Sequence, residues 1–234
     1  MKSNFLGFPH ETLKFFRELK QNNNREWFLT HKHIYEGKVK KPMIEFLLAL
    51  KPELAKFAPE ILVDPAKCIF RIYRDIRFSQ DKSPYKTHIA ASFQPKDFGK
   101  RPAAGLYFHL GTDEVFLGGG LYMPGSQELM AIRKHIAVHH KKLRKIISDS
   151  PFNRLFGEMK GEQLIRPPKG FPADHPAADL LRYKQYLAYV ALPSTLAHKP
   201  DVVTQTVKYF RGMVPLVRYL NVPLKSLPAK LRAF

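Results

Sequence analysis

The chain changes hydrophobic period twice along its length. In "HETLKFFRELKQN", Leu13, Phe16 and Leu19 recur at helical spacing and Phe15 widens the stripe, the pattern of a helix with one buried face. The asparagines at 22–24 should stop that helix, because asparagine tolerates the left-handed conformation and also caps a following helix. That next helix is "REWFLTHKHIYE", with Trp27 and Phe28 on its core side. A third starts near Pro42, which suits a first turn, and uses Phe46, Leu47, Leu50, Leu54 and Phe57 as its apolar side. Pro52 is expected to bend or divide it.

Between 68 and 122 the period drops toward two. "CIFRIYRDIRF", "THIAASF", "AGLYFHL" and "EVFLGGGLY" are rich in β-branched and aromatic residues and are separated by turn chemistry. Their connections are too short for helical crossovers, so the four segments predict an antiparallel meander. The helical period returns over 126–148, with Ser126 as the cap and Leu129, Ile132, Ile136, Leu143 and Ile147 as the buried stripe. A Pro/Gly-rich loop, "IRPPKGFPADHP", leads to a short helix in "AADLLRYK" and a strand in "QYLAYVAL". A last helix covers 201–220, with a kink expected at Pro215. This order predicts an α+β fold: a mostly antiparallel sheet, the 68–122 meander plus a C-terminal strand, packed with helices. One domain is expected over 1–234: a helical region over 1–66, the sheet over 67–123, a helix and mixed region over 124–222, and a short tail over 223–234.

Charge changes the picture more than composition does. The formal net charge is +19, a field that attracts phosphates, nucleic acids or anionic membrane surfaces. Residues 67–104 carry the largest share, nine Lys and Arg against three acids. The lone Cys68 excludes an internal disulfide, fits a reducing compartment and is expected to be unreactive on its apolar face. No apolar run approaches the ~20 residues that cross a bilayer, and the first residues lack a secretory signal. The expectations are no membrane insertion and a cytoplasmic location.

Candidate chemistry concentrates in "RIYRDIRFSQDKSPYK", residues 71–86. Read as a strand, one face carries Cys68, Phe70, Ile72, Arg74, Ile76 and Phe78, and the other Ile69, Arg71, Tyr73, Asp75 and Arg77. Arg74 among apolar residues needs either a helical carboxylate such as Glu26 or a cleft to face. Asp75 between Arg71 and Arg77 makes either a self-neutralising ladder or a guanidinium clamp for phosphate or carboxylate oxygens. The following loop adds Lys82, Tyr85 and Lys86, the hydroxyls of Ser79 and Ser83, and the stiffening Pro84, without Walker spacing. Arg133, in the next long helix, is a further candidate. The expected ligand-binding set is therefore Arg71, Arg74, Arg77, Lys82, Tyr85, Lys86 and Arg133. Asp75 and Asp81 are the acid–base candidates if the protein is an enzyme.

Two other groupings are read structurally. His135 and His139 stand at i and i+4 with Glu128 a heptad earlier, but lack the glutamate or cysteine partners of a zinc site, so no metal is expected and His139 reads as a core histidine. Gly118, Gly119 and Gly120 do not have dinucleotide-fingerprint spacing, and a bulge or a close approach to the strand is expected there.

Several motifs together resemble a known family. "NNNREWF" at 22–28, "RIYRDIRFSQDKSPYKT" at 71–87, "GGGLYMP" at 118–124, "IR" at 132–133 and "DHPAADLLRYK" at 174–184 look like the pattern of domain of unknown function 2461, over about residues 5 to 222. The resemblance implies a compact single-domain bacterial protein and brings no activity, cofactor or substrate with it. The residues themselves lead to a surface that binds an anionic ligand, nucleic acid among the candidates. The alternatives are an enzyme acting on a phosphorylated small molecule or nucleotide, and a protein-interaction domain without a small ligand.

Overall fold

A computed structural model describes residues 5–77, 79–99 and 101–228. Phe78 of the charged segment and residues 229–234 of the tail lie outside the described residues. The fold is α+β: a four-stranded antiparallel sheet packed with helices. Its strands are β1 (His88–Phe93), β2 (Gly105–Gly111), β3 (Glu114–Leu121) and β4 (Tyr186–Pro193), in the order β1-β2-β3-β4. Three are the expected segments of the meander and the fourth is the expected C-terminal strand. The chain divides into two compact units, one of Met1–Phe93, Tyr107–Leu117 and Ala191–Lys208, the other of Gln94–Leu106, Gly118–Val190 and Tyr209–Phe234.

In the first unit, α1 (His10–Gln21) buries Leu13, Phe15, Phe16 and Leu19, as its period predicts. Its end at Asn22 is not left-handed (φ −127°). The capping half of the expectation is met by Asn24, whose side chain accepts from the Trp27 N–H at 2.9 Å at the start of α2 (Arg25–Ile34). Helix α2 passes without a break through a π-helical stretch, Tyr35–Lys40, into α3 (Lys41–Ala55). The wider turn brings the Lys38 carbonyl to the buried Thr12 hydroxyl, 2.5 Å away. Pro42 sits in the first turn of α3, and Pro52 lies inside it without dividing it. Phe46 meets Phe108 of β2 at 4.5 Å between centroids, and Phe8 lies 5.4 Å from Phe46; these rings are the centre of the unit's core.

The expected first strand is the main correction. Residues 69–77 form no regular strand: Asp64 caps a one-turn helix, α4 (Pro65–Cys68), and the chain then runs extended with isolated bridges, Ile69 to Ala91 and Tyr73 to Tyr85. The Lys86 N–H donates to Ile72 O at 2.8 Å and the Arg74 N–H to Pro84 O at 2.9 Å, so the segment doubles back on its own loop. Local side-chain partners compete with a ladder here, because aspartates two residues from backbone and guanidinium donors satisfy them in a turn.

In the second unit, α5 (Ser126–Ser148) starts one residue earlier than capping by Ser126 requires; Gly125 is the N-cap and no side chain caps the helix. Ile132, Ile136 and Leu143 are buried as expected, Leu129 and Ile147 only half so, and Glu128 and Arg133 join the buried face. His139 is exposed rather than a core residue, because the helix breaks there (φ −116°, ψ 24°) and turns it out of the apolar arc. The Tyr219 hydroxyl donates to the His139 carbonyl at 3.3 Å. The glycines of β3 mark close approaches. A side chain at Gly119 would strike Met213, 2.7 Å from its Cβ, and one at Gly120 (φ +130°) would overlap the Tyr186 carbonyl. Short helices α6 (Ser150–Phe156) and α7 (Ala178–Leu181) follow α5, and the last helix, α8 (Val202–Leu224), runs through Pro215.

Candidate anion-binding surface

The 71–87 segment is anchored from a distance of 62 residues in sequence. The Asn23 side chain donates to the Tyr85 carbonyl at 3.0 Å and accepts the Tyr85 N–H at 3.1 Å, replacing the strand partners that this stretch lacks. Tyr85 is 3% exposed, its ring stacked on Phe28 at 4.1 Å. The "NNNREWF" and "RIYRDIRFSQDKSPYKT" motifs are thus two halves of one clamp. Tyr85, expected to face a ligand, serves as the buried foot of the loop, while Tyr73 is half-exposed beside it.

Above that foot, most of the opposite charges neutralise each other. Arg74 pairs with Asp81 of its own loop, not with Glu26. Its side chain is 30% exposed, so it is not the buried guanidinium that a strand would have made of it. Arg77 grips Asp75 with two nitrogens, at 2.9 and 2.7 Å. Hydrogen bonds from Arg77 hold the Asp75 carboxyl down at about 2, and those from Ser83, then Arg74, hold Asp81 at about 2. A carboxylate held that low is a poor proton acceptor at neutral pH, which weighs against either aspartate as an acid–base group. Exposed pairs of this kind add little to stability; their effect here is to shape the loop.

Of this segment's cations, Arg71, Lys82 and Lys86 form no direct ion pair with a carboxylate among the described residues, and the Arg71 charge acts on Asp75 from a greater distance. Lys82 Nζ donates to Ile76 O at 3.0 Å, Lys86 Nζ to Arg71 O at 3.0 Å, and Arg71 is exposed. Lys86 also lies over the Phe70 ring, 5.2 Å from its centroid. Burial, then the Arg71 charge, lowers the Lys86 pKa, so the two cations repel one another at close range. Arg133 belongs to the second unit and is 7% exposed. Its guanidinium donates to Leu181 O at 2.9 Å and Tyr183 O at 3.1 Å, which makes it a tie between α5 and the chain leading into β4.

A histidine pair adjoins the cations, and the period-two pattern of "AGLYFHL" is its only signal in the sequence. His88 on β1 and His109 on β2 lie 4.9 Å apart between centroids, and Glu114 Oε1 is 3.3 Å from His109 Nε2. Burial, then the charges of His109, Lys86 and Arg74, pushes His88 down to about 4; burial also lowers His109. His88 is therefore neutral well below pH 7, and burial favours the neutral form of His109. An unfolded histidine takes up its proton near 6.5 while folded His88 waits until about 4, so stability is full above 6.5, falls as the pH drops between those values, and levels off below. After allowance for partial exposure the loss due to His88 is about 2 kcal/mol. Urea denaturation of wild type and His88→Gln across that window checks it: the wild type should lose the greater stability, and parallel curves would remove His88 from the account.

Among the described residues, no group of three or more His, Cys, Asp or Glu could hold a metal ion, and no helix is long and apolar enough to cross a membrane. Cys68 is buried, and burial raises its thiol pKa. Residues 11–219 match the model of a family described as "Conserved hypothetical protein (DUF2461)". No curated protein and no solved structure matches the chain.

Proposed function

Since the chain belongs to the conserved hypothetical family DUF2461, whose description assigns no activity, we propose from its own residues that it binds an anionic, phosphate-bearing ligand at the 71–86 segment. The observation that carries the reading is the juxtaposition of Arg71 and Lys86, two like charges held together by the Lys86–Arg71 carbonyl bond, neither in a direct ion pair with a carboxylate. A phosphate there would relieve their repulsion, and guanidinium and ammonium donors suit its oxygens. Lys82 adds a third charge outside any direct ion pair on the same loop. Arg74 and Arg77 act in this reading through Asp81 and Asp75, as the frame of the loop. The chain-wide charge of +19 favours a polyanion over a single phosphate. The reading places the protein in the cytoplasm, where the lone Cys68 stays reduced.

Titration with linear polyphosphate at two salt concentrations tests it. The wild type should bind, with affinity falling steeply as salt rises. Arg71→Ala combined with Lys86→Ala should weaken binding at least about tenfold, by loss of charge-assisted contacts worth roughly 1.5–3 kcal/mol each. Equal binding by the double variant would show that these two cations hold no ligand.

A further inference from the structure

The Arg71–Lys86 pair lies at one end of a chain of aromatic rings, all within the first unit. Phe70, under Lys86, is 44% exposed and lies 6.3 Å from Tyr107 of β2. Tyr107 is 6.1 Å from Phe116 of β3, and Phe116 stacks on His109 at 5.2 Å and 12°. His109 in turn meets His88. Tyr107, His109 and Phe116 are half-exposed, while their neighbours Leu106, Phe108, Leu110, Val115 and Leu117 are buried. Alternation along the strands thus sends one row of side chains into the core and a second, aromatic row to the other face of the sheet.

Building on the anion-binding reading, we propose that this aromatic face stacks unpaired bases, and that the ligand is a single-stranded nucleic acid whose phosphates are held by Arg71 and Lys86. Charge complementarity selects this occupant. An apolar peptide has no use for two cations outside any direct ion pair at the edge of the rings, whereas a single strand repeats a phosphate beside every base. Every base has a flat π-face, so rings on a rigid sheet accept many sequences without base-edge readout. Burial favours the neutral form of both histidines, so they add ring surface here and leave the charge to Arg71 and Lys86. A duplex hides its base faces in the stack and offers these rings nothing to stack on.

The full chain is titrated with three probes of similar charge: a thymidine oligomer of about 20 nucleotides, its abasic sugar–phosphate counterpart, and linear polyphosphate. The thymidine oligomer should bind about tenfold more tightly than the abasic one. Phe116→Leu should remove most of that difference and leave polyphosphate binding unchanged. Tyr107→Leu, in the same half-exposed row and away from Lys86, serves the same purpose should Phe116→Leu fail to fold. Abasic and thymidine oligomers of equal affinity, or leucine variants that bind the thymidine oligomer like wild type, would overturn the stacking face while leaving the anion site in place. If polyphosphate and both oligomers all fail to bind, the anion site falls and this inference falls with it.

Discussion

Gly120→Ala is expected to destabilise the protein by about 4 kcal/mol or more, with a fall in Tm of about 10 °C. Gly120 adopts φ +130°, a conformation that L side chains rarely enter. A methyl group there would overlap the Tyr186 carbonyl of the neighbouring strand, and a backbone atom cannot rotate aside as the end of a flexible side chain can. Relief requires β3 and β4 to separate, or β3 to change conformation in the middle of the sheet. Gly157 supplies the control: its φ is also positive, at +71°, but an added Cβ meets nothing within 4 Å. Gly157→Ala should therefore cost only about 1–3 kcal/mol, the backbone strain alone. Thermal unfolding of the two variants separates clash from strain, and equal losses would show that β4 gives way easily at Gly120.

Arg133→Met, which keeps most of the apolar stem, is expected to lower stability by about 3 kcal/mol and Tm by about 6–12 °C. Arg133 is a buried cation that donates to the carbonyls of Leu181 and Tyr183 and also interacts with the Tyr186 side chain. Its loss leaves both acceptors unsatisfied in the interior, at roughly 1–3 kcal/mol each, partly offset because a buried charge no longer has to be desolvated. The same variant decides between a structural and a ligand-binding arginine. Unchanged polyphosphate affinity with a lowered Tm is the expected result; lost affinity at unchanged Tm would return Arg133 to the ligand site.

The elements that could be read from the sequence are those whose cause is local and periodic. Leu13, Phe15, Phe16 and Leu19 define the buried face of α1 wherever that helix is placed, and Asn24 caps α2 through a bond three residues long. Alternation in "AGLYFHL" and "EVFLGGGLY" makes β2 and β3, and the two residues Thr112 and Asp113 suffice to pair them antiparallel. Gly119 and Gly120 announce a close approach, although only the structure names Met213 and Tyr186 as the groups that come close.

Partners distant in sequence decided the rest. The charged segment has the apolar beat of a strand, yet Asp64, Asp75 and Asp81 each satisfy donors within a few residues, and the Asn23 side chain supplies backbone partners from 62 residues away. Periodicity cannot see either effect, so it puts Arg74 on a buried face that never forms. His139 lies in the apolar arc of an ideal helix and outside it once the helix breaks. The aromatic row of Tyr107, His109 and Phe116 shows the boundary between the two kinds of information. Alternation by itself determines that these rings share a face of the sheet, because a strand reverses its side chains at every residue. Which face the helices cover is settled by the packing of Phe108 against Phe46 and Phe8, since burial belongs to the whole fold and not to any one strand.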